Sequence, residues 1–148
     1  MPIRVSRRAP VSPVQVPDQR MELSVLIYRL LLVLGRQRQS LPSKRSLPSL
    51  IRKIVGNPAV DYTRESMAQM LGVNIRTLTK SFQDTVSCSP MQFVIQSRMN
   101  LARQLLEAET MPVYQVAETC GYRSEAFFSR EFKKHFGCSP REYVKRLG

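Results

Sequence analysis

A chain of 148 residues, 43% of them hydrophobic, can build one ordinary core or two very small ones that share a helix. Its formal net charge of +12 favours a polyanionic partner, nucleic acid before an anionic membrane surface. With His135 its only histidine and no Gly-rich phosphate loop, the chain lacks the parts of a zinc site, a Ser-His or Cys-His pair or a nucleotide cradle, so neither enzyme activity nor a cofactor is expected.

The charge is unevenly placed. Residues 1–60 hold eleven Lys/Arg against two acids, whereas residues 61–148 hold twelve against nine. Residues 1–21 contain four prolines and four arginines, the composition of an extended basic arm. Residues 22–38 carry the longest apolar run, "LSVLIYRLLLVLG". It is too short to span a bilayer and Arg29 interrupts it, so a buried or interface helix is expected and no membrane partner. That helix offers a surface for a homodimer or for a regulatory protein. Residues 39–47, serine-rich and basic, form a linker. A short helix follows Pro48 through Ile51, Ile54 and Val55 and stops at "GNP".

The remaining chain repeats itself. Ala68 and Gly72 match Ala117 and Gly121 at an offset of 49 residues. Leu78, Lys80, Phe82, Cys88, Ser89, Pro90, Phe93 and Val94 match Phe128, Arg130, Phe132, Cys138, Ser139, Pro140, Tyr143 and Val144 at an offset of 50. The extra residue falls between the glycine and the next helix, where a turn absorbs it. A repeat of this length is one supersecondary unit used twice.

In the first copy Thr63 caps a helix with Glu65 in its first turn and an apolar face of Met67, Ala68, Met70 and Leu71. Gly72 ends it, and Asn74 caps a second helix that packs through Leu78 and Phe82. In the second copy Pro112 starts the helix, Val113, Val116 and Ala117 face inward, Gly121 stops it, and Ser124 caps a helix packing through Phe128, Phe132 and Phe136. Two helices joined by a short glycine-containing turn make a helix-turn-helix, here over about 63–86 and 112–136. Between them Ser89 caps and Pro90 begins one continuous helix over 90–108, with apolar residues at 91, 94, 95, 99, 102, 105 and 106. From Met91 to Glu107 it would measure about 25 Å. Such a rod can hold two recognition helices apart, and successive major-groove faces of B-DNA lie about 34 Å apart.

These pieces carry a resemblance. The segments "SMAQMLGVNIRTLTKSF", "RMNLARQLL" and "VYQVAETCGYRSEAFFSREFKKHFGCSPREY" resemble the DNA-binding domain of the arabinose-regulator (AraC/XylS) family of bacterial transcription factors, over residues 48–148. The resemblance implies an all-α fold of two helix-turn-helix subdomains joined by a long helix. It implies binding to double-stranded promoter DNA and activation through RNA polymerase, in the bacterial cytoplasm. It places Ile75, Arg76, Thr79 and Lys80 of the first copy, and Glu125, Ala126, Ser129 and Arg130 of the second, on the faces that enter the major groove.

Some residues depart from the family pattern. Ser87 stands where the second copy has Gly137, and Lys80 stands where arginine is common, which removes bidentate guanine readout. Glu125 repels phosphate, although a carboxylate can accept from cytosine N4. About 47 residues precede the match, too few for the ligand-sensing domain common in the family, so control is expected from abundance or from a partner of the 22–38 helix.

Basic residues on a helix are ordinarily solvated surface, but the same outer face recurs in both copies. Lys133, Lys134 and Arg123 are expected on phosphates rather than bases. Phe127, Phe128, Phe132 and Phe136 offer a base-stacking platform, but the last three have the helical spacing of a core. Cys88, Cys120 and Cys138 are odd in number and lack a Cys-x-x-Cys pair, and they are expected as reduced, buried thiols. The alternative function is a protein-interaction module, or an antagonist of a longer regulator, acting through residues 22–38.

Overall fold

The computed structural model describes residues 45–148, together with Leu26 and Leu30, both helical. The expectations for the basic arm, for the rest of the 22–38 helix and for residues 39–44 lie outside the described residues. Among the described residues the fold is all-α.

Helix α1 spans Leu47–Gly56 and buries Leu50, Ile51 and Ile54. It starts one residue before Pro48, because the Ser46 side chain accepts from the Ser49 amide and a proline in the first turn loses no helical hydrogen bond. Helix α2, Arg64–Leu71, opens with a reciprocal cap between Thr63 and Ser66 and ends at Gly72 with φ of 69°. Its buried stripe is Met67 and Ala68, with Leu71 partly buried beside them. Met70, expected in that stripe, is 38% exposed: at 100° per residue it falls off the side of the face that Met67, Ala68 and Leu71 share. Helix α3, Ile75–Val86, is capped by Asn74 and buries Leu78, Phe82 and Val86 at four-residue spacing.

Helix α4, Pro90–Glu107, runs unbroken for 18 residues behind a Ser89–Gln92 capping box. Helix α5, Val113–Thr119, and helix α6, Glu125–Phe136, form the second pair. Helix α7, Pro140–Leu147, begins with another reciprocal cap, in which the Ser139 amide donates to the Glu142 carboxylate at 2.8 Å. That bond and the Ser139 hydroxyl hold the Glu142 carboxyl below its usual range.

Two hydrophobic cores result. Leu50, Ile51, Ile54, Met67, Leu78, Phe82, Phe93 and Val94 form the first; Met99, Ala102, Leu106, Val116, Ala117, Phe128 and Phe132 form the second. The sequence repeat survives as a packing repeat. Phe93 meets Phe82 edge-on at 5.8 Å, and its counterpart Tyr143 meets Phe132 edge-on at 5.5 Å. The start of α4 thus does for the first pair what α7 does for the second. The Tyr143 hydroxyl also donates to Glu107 at 2.7 Å, which ties α7 to the end of α4. All three cysteines are free and buried, and burial pushes Cys88 up to about 11 and Cys120 up to about 12, so both stay protonated thiols.

Ser87 closes α3 with φ of 58°, the left-handed conformation that Gly137 adopts at 77° after α6. An L-residue is strained there and glycine is not. Ser87→Gly is expected to stabilise the protein by about 1 kcal/mol, read as a higher denaturant midpoint; an unchanged or lower midpoint would mean that the Ser87 side chain offsets its strain.

His135, half-buried on α6, faces the buried Gln96 of α4, whose amide nitrogen donates to its Nε2 at 3.2 Å. Only a neutral ring can accept that bond, and burial lowers His135 from its ordinary 6.5 to about 4. Between those two values the unfolded chain takes up a proton that the folded chain refuses, so this contribution is complete above pH 6.5, falls as the pH drops, and levels off below about 4. Denaturation of the wild type should therefore show an additional loss of up to about 3 kcal/mol across that window relative to His135→Gln. Parallel curves for the two proteins would contradict a neutral ring.

Candidate nucleic-acid interface

Each pair of helices presents its second member to solvent along a stripe opposite its core contacts. In α3 the stripe opposite Leu78 and Phe82 holds Arg76, Lys80 and Gln83, all exposed, with Ile75 and Thr79 exposed on the flank. In α6 the stripe opposite Phe128 and Phe132 holds Ala126, Arg130, Lys133 and Lys134, all exposed. Glu125 and Ser129 sit half-buried on its flank, and Arg123 is exposed in the preceding turn. Helical geometry thus brings the expected residues of each copy onto one surface, with Glu125 and Ser129 at its edge.

The two stripes differ in what is free to act. On α3, Lys80 Nζ lies 2.8 Å from Asp84, and this hydrogen-bonded pair holds its ammonium above the usual range. Both side chains are more than half exposed, so the pair contributes little stability and can exchange for another anion. The Thr79 hydroxyl donates to the Ile75 carbonyl at 2.9 Å, which leaves its oxygen lone pairs outward as acceptors. On α6 the position equivalent to Asp84 is Lys134 and the position equivalent to Gln83 is Lys133, so the second stripe carries three cations and no acid. Glu125, on one flank of that face, is paired with Arg141 of α7 at 3.3 Å, and half-buried Glu131 lies on the other flank.

Two further residues belong to these faces. Gln83 is exposed on the α3 stripe, and its counterpart Lys133 at the 50-residue offset is the signal that finds it. Phe127 is 48% exposed beside three phenylalanines that pack inward, and the Arg130 guanidinium lies 5.8 Å over its ring. Phe127 also borders a cleft of about 960 Å³, between the loop carrying Ala59 and Asp61 and the turn carrying Arg123. Half-buried Arg98 of α4 lies at the back of this cleft.

Comparison with known proteins agrees with this geometry. A family model described as a helix-turn-helix domain matches residues 67–146. The chain is 32% identical over 101 residues to the RCS-specific HTH-type transcriptional activator RclR of Escherichia coli K12, a match that covers 68% of this chain but 36% of that protein. This chain thus spans about a third of the relative's length. It superposes on the DNA-binding domain of AdpA, the global transcriptional factor, in complex with a target DNA, with a TM-score of 0.63, 26% identity and coverage of 66% of this chain and 87% of that one. An AraC-type DNA-binding-domain regulator from Chromobacterium violaceum superposes with a TM-score of 0.61 at 26% identity, covering 67% of this chain and 88% of the other.

Proposed function

The chain belongs to the AraC-type family of helix-turn-helix DNA-binding proteins, and from that premise we propose that it is a sequence-specific regulator reading two adjacent major grooves of promoter DNA. The observation that carries the reading is the pair of solvent-facing stripes, on α3 and α6, held by one unbroken helix. Its relatives are transcriptional regulators, not enzymes.

The chemistry assigns a role to each residue. Arg130, opposite the core and in no ion pair among the described residues, is suited to a bidentate contact with a guanine. Ala126 fits against a thymine methyl, and Ser129 and Glu125 act at the edge of the same groove. In the first groove Arg76 reads alongside Ile75 and Thr79, while Lys80 exchanges Asp84 for the DNA. Lys133, Lys134 and Arg123 hold phosphates and set the register. RNA polymerase is the second partner in this reading, and activation the outcome; the activator among its relatives supports that direction. The protein would then act in the bacterial cytoplasm, on the nucleoid when bound.

One observation favours a second surface. Leu26 and Leu30, one helical turn apart, are 52% and 58% exposed, an apolar strip suited to a second copy of the chain or to a regulatory protein.

A base-by-base substitution scan of a selected duplex site tests the main reading. Arg130→Ala is expected to relax preference in one half of the site by about 1–3 kcal/mol, and Arg76→Ala in the other half, about one helical turn away. If both relaxed the same base pairs, or neither relaxed any, the two-groove arrangement would be wrong.

Lys133→Ala is expected to weaken all sequences alike and to reduce the slope of log affinity against log salt by about one. A change in base preference would instead make Lys133 a reader.

A further inference from the structure

The rod that joins the two motifs does not by itself set how they face each other. An α-helix with two cores strung along it still leaves each core free to rock about it, unless something ties one core to the other. Arg98, in the middle of α4, is placed to do this. It stands one turn beyond Val94, the last α4 residue of the first core, and one residue before Met99, the first of the second. Its Nε donates to the Pro58 carbonyl at 2.9 Å and its Nη2 to the Val60 carbonyl at 3.0 Å. Both carbonyls belong to the loop that leads from α1 to the Thr63 cap of α2, so they are part of the first unit.

The guanidinium lies at the same time 5.4 Å from the ring centre of Tyr122, in the turn of the second motif. Tyr122 is buried, and burial pushes its hydroxyl up to about 12, so a neutral ring faces the cation. Beside it Gly121 has φ of 85°, and a Cβ there would stand 2.5 Å from the Ala59 carbonyl oxygen and 2.9 Å from the Ala59 Cα. The backbone of the second motif's turn therefore presses directly on the backbone of the first unit's loop. That loop is gripped from two sides: Arg98 holds the carbonyls at 58 and 60, and Gly121 packs on residue 59 between them.

A planar donor fork is needed for this. It reaches two carbonyls along one edge while its face covers a ring, which an ammonium cannot do. Among the described residues no ion pair engages Arg98, so its charge is held by carbonyls and an aromatic face instead of by a carboxylate.

We infer that Arg98 is a positioning residue that clamps the two motifs into one orientation, and so determines the spacing between half-sites that the protein accepts. The inference rests on the two-groove reading for its consequence on DNA, but the clamp itself is testable without DNA. One inserted base pair moves the second groove by about 3.4 Å and turns it by roughly 35°. A clamped pair of motifs cannot follow that change, and an unclamped pair can.

The variants are Arg98→Met, which keeps the stem and removes the donors, Arg98→Lys, which keeps the charge without the fork, and Gly121→Ala, which wedges the joint open with Arg98 intact. Amide residual dipolar couplings of the full chain, without DNA, are expected to fit one alignment tensor for both halves in the wild type and two in Arg98→Met and Gly121→Ala, with Arg98→Lys between. One shared tensor in all folded variants would overturn the clamp. On DNA, a one-base-pair insertion between the half-sites is expected to lower wild-type affinity by about tenfold or more and variant affinity by less than about threefold, with base preferences inside each half retained. Equal insertion penalties in wild type and variants would overturn the spacing role. If the wild type showed no base preference in either half, the two-groove reading would fail, while the couplings would still decide the clamp. Should Arg98→Met not fold, Arg98→Lys and Gly121→Ala decide by the same two measurements.

Discussion

Everything in this fold depends on α4 serving two cores at once. Neighbouring side chains of one helix point about 100° apart, so Val94 enters the first core while Ile95 packs against the second. Each core alone is small, and small cores bury too little surface to stand well by themselves. Sharing a helix gives both a third wall. The start of α4, through Phe93, covers the first pair as α7, through Tyr143, covers the second. The end of α4, through Ala102 and Leu106, joins the second core as α1, through Leu50, Ile51 and Ile54, joins the first. An insertion within this helix would rotate one core against the other, so its length is constrained by packing at both ends.

The repeat preserves packing and varies the surface. Positions that face inward keep their character across the copies: Leu78 with Phe128, Phe82 with Phe132, Phe93 with Tyr143. Positions that face outward diverge: Arg76 with Ala126, Gln83 with Lys133, Asp84 with Lys134. The outcome is electrostatic inequality. Asp84 partners a cation on α3, whereas α6 presents Arg130, Lys133 and Lys134 with Glu125 already taken up by Arg141. The α6 stripe thus presents three exposed cations to a polyanion, where the α3 stripe presents Arg76 and a Lys80 already paired with Asp84. Two unequal surfaces on a rigid frame also suit an asymmetric target better than a palindromic one.

Side-chain hydrogen bonds between elements mark where the two halves and their helices must hold one arrangement. Gln96 and His135 meet between α4 and α6, and Arg98 meets the 58–60 loop between the units. Apolar packing tolerates sliding, because one methyl group contacts another about as well a little further along. A hydrogen bond does not, since it weakens steeply with distance and angle and leaves a desolvated group behind when it breaks. The polar contacts therefore lie where rotation of one half would otherwise be cheap.

Much of this was legible in the sequence because the rules involved are local. A cap acts across three residues, and Thr63, Asn74, Ser89 and Ser124 all cap the helices they were expected to cap. The helical period placed Leu78, Phe82, Phe128 and Phe132 inward, and Arg76, Lys80 and Arg130 outward as a consequence. The 50-residue offset revealed the repeat and its paired helix-turn-helix units, and the motifs within them carried the resemblance to the family. The period said less about the margins: Met70 is apolar but lies beside its stripe. What only the tertiary structure decided involves partners far apart along the chain. Nothing near Arg98 in sequence shows that it would hold carbonyls some forty residues upstream, or that Gly121 serves a backbone contact with Ala59 as well as a turn. Nor does Arg141, on another helix, advertise Glu125 as its partner. Local chemistry selects each helix and its buried face, whereas these contacts exist only once the cores have brought distant segments together, and their geometry belongs to the assembled fold.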